Sequence, residues 1–295
     1  MEVSQQRQSS AMLKMIISMA IFGSIGFFTQ ISGLPSIELV FVRCICATLF
    51  LGVIWVMNGQ YKQEQWNKRE VLQTLLCGFF LVFNWVFLFK AFEETSVTVA
   101  ISIYNLAPIF VMLIGAIVFR ERLTMKAVIA ITLCFSGTLL ISNIDYAKPL
   151  AELLPIGVLW ALAAALFYAM LIILGKGLKN LSAYATTFLQ TGLGVVMLLP
   201  MVDFKEFQGL TVGNWTAIIA TGIIHTGIVY LLYFDSIRFL STALISVLAF
   251  LDPAIAILLD IAFMDVRTSA LQTLGIVLIF AGIALTFIRF KRRIA

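Results

Sequence analysis

Charge is scarce in this chain, and so are the residues of most catalytic centres. Asp, Glu, Lys and Arg together make up 12% of it, against 61% hydrophobic residues and a mean hydropathy of +1.04. That balance excludes an ordinary soluble domain. A single histidine, His225, excludes a multi-histidine metal centre, and no HExxH pattern is present. No Walker A segment offers a phosphate cradle, which argues against ATP hydrolysis, and no GxSxG turn presents a serine nucleophile. Short alternating strands of the kind that build a membrane barrel are missing as well. The four cysteines, Cys44, Cys46, Cys77 and Cys134, all fall within apolar runs. Small packing residues are the expected role there, not disulfides.

What the chain has instead is a succession of apolar runs of roughly 20 residues, the length that crosses a bilayer as a helix. They predict an all-α polytopic membrane protein with ten transmembrane helices. The first run, 11–32, is long and lacks a small-residue cleavage site, so no cleavable leader is expected. Gly23 and Gly26 within it offer close helix approach.

The segment 96–124, SVTVAISIYNLAPIFVMLIGAIVFRERLT, is a membrane-length helix interrupted by Pro108 and closed by Arg120-Glu121-Arg122. A weaker copy lies at 241–269, STALISVLAFLDPAIAILLDIAFMDVRTS. Ser96 answers Ser241, Leu106 answers Leu251, Pro108 answers Pro253 and Arg122 answers Arg267. Two such copies point to internal repeats. The expected organisation is a cytoplasmic tail at 1–10, a five-helix repeat at 11–144, an external connector at 145–152, a second repeat at 153–288 and a basic cytoplasmic tail at 289–295. With five spans each, the two repeats insert in opposite orientations around a central cavity.

Sorting the basic residues by loop gives the orientation. Of the 20 Lys and Arg, 15 fall on the side of the termini, four on the other, and Arg43 lies inside a span. The positive-inside rule therefore places both termini in the cytoplasm. The same rule explains why the second copy reads Asp265-Val266-Arg267 where the first reads Arg120-Glu121-Arg122: that turn lies outside. The net charge of +5 thus reflects topology, and no nucleic-acid partner is expected.

Polar residues deep in such spans are costly and mark pathways or interhelical bonds. Pro108 and Pro253 each free a backbone carbonyl, of Tyr104 and Ala249, and are the expected kink or gating positions. Asp252 precedes Pro253, and His225 lies at a matching depth, about 20 Å from the turn near Phe239. The expectation is that Asp252 takes a proton or a cationic substrate group with His225 tuning it; a structural hydrogen bond between helices is the alternative. Asn84 and Asn105 likewise share a depth and serve either a polar solute or helix association. Trp85, Tyr104, Tyr168 and Tyr230 offer aromatic faces. Arg43, roughly 10 Å into its span from the external side, either holds a carboxylate at the outer mouth or pairs with an acid such as Glu38. Asp260 is expected to snorkel to the outer surface. Asp235 and Arg238, three residues apart, read as a surface ion pair.

Several stretches now combine: Phe89-Lys90-Ala91-Phe92, Asn105-Leu106-Ala107-Pro108, Arg120-Glu121-Arg122-Leu123-Thr124 and Gly137 in the first half; Tyr233-Phe234, Ser241, Leu251-Asp252-Pro253 and Gly282 in the second. On these the chain resembles the EamA type of the drug/metabolite transporter superfamily over nearly its whole length. The resemblance implies a 5+5 inverted-repeat fold and alternating access. It also implies a secondary transporter in the cytoplasmic (inner) membrane, exporting small metabolites such as amino-acid-like or other small amphipathic solutes. The Asp265-Val266-Arg267 turn departs from the family's pattern, and the first span lacks the membrane glutamate of small multidrug exporters. Partners would be a small solute, the bilayer and, if transport is proton-coupled, protons, in a monomer or homodimer with no cofactor and no metal. A sugar-phosphate or nucleotide-sugar exchanger is the alternative, with a membrane sensor or intramembrane enzyme behind it.

Overall fold

The computed structural model describes residues 2–94, 97–141, 156–263 and 269–287, the side chains at 2–5, 26, 27, 30, 97, 98 and 260 excepted. Ser96, the 145–152 connector, Asp265-Val266-Arg267, the 289–295 tail and the Asp260 side chain lie outside the described residues. Within them helices are the regular secondary structure, joined by short turns and loops, with no strand. This follows from composition: in hydrocarbon only a helix satisfies its own backbone polar groups segment by segment.

The first half runs α1 (Glu2–Gly23), α2 (Ile25–Ser32), α3 (Ser36–Met57), α4 (Lys68–Glu94), α5 (Val97–Tyr104), α6 (Ala107–Val118) and α7 (Met125–Ile141). The second runs α8 (Ile156–Lys176), α9 (Ala183–Leu198), α10 (Val212–Ala220), a π-helix at Thr221–Ile228, α11 (Val229–Ile237), α12 (Thr242–Ala249), α13 (Leu251–Phe263) and α14 (Ala270–Phe287). Among the described residues, eight helical stretches are long and apolar enough to cross a membrane: Ser36–Met57, Lys68–Glu94, Val99–Val118, Ile156–Lys176, Ala183–Met201, Val212–Ile237, Thr242–Phe263 and Ala270–Phe287. Met125–Ile141 is a shorter apolar helix. The first expected span is divided between α1 and α2 at Gly23 and Ser24, and residues 2–10 are helical and continuous with α1.

Packing sorts the residues by size. Val53, Ile117, Leu159, Val196 and Val277 stand exposed on the outside of the bundle, where a soluble protein would place polar groups. Inside, α8 presents Ala161, Ala164, Ala165 and Ala169 with no exposed surface, and α4 lies against it. Small side chains let two backbones approach closely, the main source of attraction between helices in lipid. The α7–α14 crossing uses glycine instead, through Gly137 and Gly275.

The interruptions in the two proline helices sit upstream of the prolines. α5 ends at Tyr104, Asn105 and Leu106 form a turn, and Pro108 is the second residue of α6. In the copy, α12 ends at Ala249, Phe250 turns, and Pro253 is in the first turn of α13. Each proline therefore starts a half-helix, a position where its missing N–H is no loss. The feature read from sequence as a mid-helix kink is a break between two half-helices.

Candidate functional site

Both breaks face one central cavity of about 460 Å³. Its floor is built from Asn105, Ala107 and Pro108 on one side and Ala249, Asp252 and Pro253 on the other. Its walls come from α1 and α2 (Met19, Phe22, Ile25, Thr29), α3 (Leu39, Val40, Arg43), α4 (Asn84, Trp85, Leu88), α8 (Tyr168) and α11 (Tyr230). The lining continues to Ser36 at the start of α3, Phe92 near the end of α4 and Ile101 within α5. The cavity therefore reaches the end where α2 turns into α3 and α4 into α5.

The aromatic walls hold one another. Trp85 meets Tyr230 edge-on at 6.2 Å between ring centroids, and Tyr104 lies 5.9 Å from Tyr168. The Tyr168 and Tyr233 hydroxyls share a hydrogen bond of 3.2 Å. Asn84 donates from Nδ2 to the Ala164 carbonyl at 2.8 Å and also meets the Tyr104 hydroxyl at 3.2 Å. Asn84 thus fixes Tyr104 and joins α4 to α8. Asn105 does not bond to it; its Nδ2 is buried without an acceptor.

Arg43 is buried, donates from Nε to the Thr226 hydroxyl at 3.0 Å, and lays its guanidinium 5.8 Å from the centre of the Trp85 ring. The acid suggested as its partner, Glu38, accepts the backbone N–H of Asp203 instead, at 3.0 Å. His225 lies outside the cavity lining. Its Nε2 is 2.9 Å from the Ser24 hydroxyl, which also donates to the Ile21 carbonyl at 2.8 Å. A hydroxyl has one proton, so with that proton on Ile21 the imidazole Nε2 is the donor, and Nδ1 is the atom left without a partner. No hydrogen bond or ion pair joins His225 to Asp252 among the described residues. Asp252 instead meets α1 through its backbone: a methyl group added at Gly23 would stand 2.6 Å from the Asp252 carbonyl oxygen. The π-helix explains the arrangement, since its wider turn presents His225 to the α1–α2 break and Thr226 to α3; such bulges recur at functional sites.

At the opposite end of the bundle, acids tie loops to helix starts. Glu121, after α6, accepts the Thr242 N–H (2.8 Å) and hydroxyl (2.7 Å) at the start of α12 and lies 3.5 Å from Lys176 at the end of α8. Lys176 also donates to the Leu240 carbonyl. Glu70 accepts the backbone N–H groups of Lys179, Asn180 and Leu181, and Glu64 accepts that of Ser182. Asp235 pairs with Lys14 at 2.5 Å, while Arg238 donates to the Leu181 carbonyl and the Thr186 hydroxyl. The Asp235–Arg238 surface pair expected from sequence is therefore replaced by two long-range attachments, because each side chain has a better partner on another helix. None of Glu64, Glu70 or Glu121 stood out as a site residue in the sequence; the available signal was an acid at a helix start or in a turn, with its basic or N–H partner far along the chain.

A helical membrane bundle around a solute-sized, aromatic-walled cavity defines the class: a membrane protein built to hold a small molecule. The EamA-like transporter family model matches residues 9–143 and again 155–288, and the chain belongs to that family, within the drug/metabolite transporter superfamily. It is 61% identical over 287 residues to the uncharacterized transporter YxxF of Bacillus subtilis (strain 168), covering 97% of this chain and 92% of that one. It is 24% identical to protein PecM of Dickeya dadantii (strain 3937), covering 79% of this chain and 77% of that one. A crystal structure of a protein with 18% sequence identity has a TM-score of 0.82, covering 94% of this chain and 97% of that one. That likeness concerns the fold.

Proposed function

We propose that this transporter is a secondary exporter of small metabolites, amino-acid-like or similarly amphipathic, working by alternating access in the cytoplasmic membrane. Ten spans in two inverted five-helix repeats, divided near 145–152, are the arrangement this reading assumes, with both termini inside. The two short or divided elements at α1–α2 and α7 supply the spans beyond the eight long ones. The observation that carries the reading is the cavity placed where both half-helix breaks meet, since unwound backbone in a membrane is tolerated where it lines a polar pathway. Trp85, Tyr104, Tyr168 and Tyr230 would contact the solute, Asn84 would hold the wall, and Asn105, Asp252 and Arg43 would supply polar contacts, Asp252 to a cationic group or a proton. Pro108 and Pro253 would set the breaks, and His225 would support the floor through Ser24 without touching the solute. A sugar-phosphate exchanger is the weaker reading, because Arg43 is the basic side chain among the residues lining the cavity.

Counterflow of labelled solutes in proteoliposomes tests transport directly. Comparing metabolites in cells and medium between overexpressing and null strains tests export; a solute accumulating inside the overexpressor would overturn the direction.

Alternating access requires the polar ties at the Glu121 end to open. Hydrogen bonds to a charged group contribute about 1.5–3 kcal/mol each, and 1.4 kcal/mol is tenfold in a population. In a background with the four cysteines replaced by serine, Glu121→Ala is expected to raise maleimide labelling of an Asn105→Cys reporter, applied from the Glu121 side, several-fold. Unchanged labelling would remove Glu121 from the gate.

A further inference from the structure

A second concavity lies on the outer surface of the bundle, away from the central cavity. It is a groove of about 480 Å³ between α3 and α9. Thr48, Leu49, Gly52, Val53, Val56 and Met57 form one side, and Phe188 of α9 closes the other. Residues four apart lie on one face of a helix, so these six make a stripe along α3 and the groove runs parallel to it. From Thr48 to Met57 the stripe is roughly 13 Å long at about 1.5 Å per residue. That is close to half of a hydrocarbon core about 30 Å thick, the depth of one leaflet. Gly52 opens the groove, since a Cβ there would stand 3.0 Å from Phe188 Cε2. The Thr48 hydroxyl donates to that of Thr191 at 2.8 Å, which leaves an apolar lining. Leu49, Val53, Val56 and Met57 are each more than half exposed.

The groove ends at a loop whose charges are out of balance. Phe188 meets Trp55 at 5.6 Å between ring centroids; Trp55 in turn meets Trp66 at 5.9 Å and donates to Glu64 at 3.0 Å. These contacts hold the loop at 58–67 against the Met57 end of the groove. Tyr61 and Trp66 are exposed there, amphipathic rings of the kind that sit at headgroup level. The loop and the first turn of α4 carry Lys62, Glu64, Lys68, Arg69 and Glu70. Both acids turn inward, Glu64 to Trp55 and Ser182, Glu70 to the backbone of Lys179, Asn180 and Leu181. Lys62, Lys68 and Arg69 are exposed and form no ion pair among the described residues. Lys62 lies 5.7 Å from the centre of the neighbouring Tyr61 ring. Lys68 and Arg69 stand in the first turn of α4, where the helix dipole opposes a cation. The positive-inside rule accounts for the sign of this loop but not for a leaflet-deep groove leading to it.

We infer that the α3–α9 groove is a binding site for an anionic phospholipid, with an acyl chain along the α3 stripe and the phosphate among Lys62, Lys68 and Arg69. Charge complementarity selects this occupant. A second copy docked on the same face about a twofold axis would bring these three cations against their own counterparts. A zwitterionic lipid would leave them unneutralised. The site is independent of which solute the central cavity takes.

The experiment uses the full chain in detergent, titrated with palmitoyl-oleoyl phosphatidylglycerol or with phosphatidylcholine of the same chains, and bound lipid is counted by native mass spectrometry. The wild type is expected to hold the phosphatidylglycerol at least tenfold more tightly, given about 1 kcal/mol for each basic residue near an anionic headgroup. Lys62→Gln, Lys68→Gln and Arg69→Gln combined should bring the two lipids to about the same affinity. Arg7→Gln, Arg122→Gln and Lys205→Gln combined remove the same charge elsewhere and should leave the preference intact. Val53→Phe and, independently, Leu49→Trp fill the groove from exposed positions and should weaken both lipids several-fold, with thermal midpoints identifying any variant that fails to fold. Glycerol 1-phosphate, which lacks the chains, should not displace the lipid. Equal retention of the two lipids by the wild type would overturn the proposal, as would equal losses in the two charge triples or unchanged binding in a folded groove variant. Displacement by glycerol 1-phosphate would make this a free-phosphate site instead. A wild-type dimer that Val53→Phe dissociates would give the face to a second copy.

Discussion

Gly137→Leu is expected to eliminate the folded protein, leaving aggregate in place of a monodisperse peak in detergent. At the α7–α14 crossing, a Cβ built on Gly137 would stand 2.5 Å from the Gly275 carbonyl oxygen and 2.9 Å from Ile279 Cγ1. The relation is reciprocal, since a Cβ on Gly275 would stand 2.5 Å from the Gly137 carbonyl oxygen. Further along, a Cβ on Gly282 would come within 2.6 Å of Cys134 Sγ and 2.7 Å of the Ala130 carbonyl oxygen. Backbone oxygens cannot rotate away as side chains do, so the helices must separate along their whole contact. Overpacking that side chains absorb costs about 1–3 kcal/mol; here the close backbone contact that holds lipid-embedded helices together is itself lost. Gly137→Ala should be intermediate, with a thermal midpoint lowered by several degrees. A Gly137→Leu protein that elutes as the wild type and melts at the same temperature would show that α7 and α14 do not pack this way.

This crossing also shows what kind of information the sequence carries. Gly137 and Gly282 were legible as family positions, whereas Gly275 was not, because a glycine's partner on a helix more than a hundred residues away leaves no local pattern. The half-helix breaks were legible for the opposite reason: a proline inside an apolar run has a local consequence. Even so, the register was displaced, because proline favours the first turn of a helix and the chain interrupts upstream of it, at Asn105-Leu106 and at Phe250.

Depth arithmetic behaved similarly. Counting residues from a turn gives a position along the membrane normal, which is why Asn84, Asn105, Asp252 and Arg43 were legible as polar groups deep in their spans. It gives no azimuth. His225 and Asp252 share a depth on that count, yet the imidazole turns to Ser24, and the direction is set by a π-helix that no periodicity announces. The (i, i+3) rule failed at Asp235 and Arg238 for a related reason: each side chain is near a helix end, where Lys14, Leu181 and Thr186 come within reach from other helices. Local spacing ranks partners only when tertiary ones are absent.

Glu70→Ala is expected to be the most destabilising change at the end opposite the cavity mouth. Glu70 sits in the first turn of α4, 8% exposed, and its carboxylate collects the N–H groups of Lys179 (3.3 Å), Asn180 (2.9 Å) and Leu181 (3.1 Å) together with the Asn180 side-chain amide (2.8 Å). These donors belong to the loop between α8 and α9, which has no helical acceptors of its own. Removing the carboxylate leaves several partly buried N–H groups without acceptors at once, and breaking a buried charged group's bonds costs about 3–5 kcal/mol. Glu70→Gln keeps an acceptor oxygen and should lose roughly half as much. The reading is a thermal melt in detergent, paired with the rate of tryptic cleavage after Lys179, which should rise at least tenfold in Glu70→Ala. Glu93→Ala is the control: Glu93 bonds Lys90 at 2.7 Å, but both side chains are more than half exposed, so its melt should match the wild type. If Glu70→Ala and Glu93→Ala melted alike, the loop would be held by Glu64 and its Ser182 N–H bond without help from Glu70, and the strength of this closed end would have to come from the Glu121 and Lys176 ties alone.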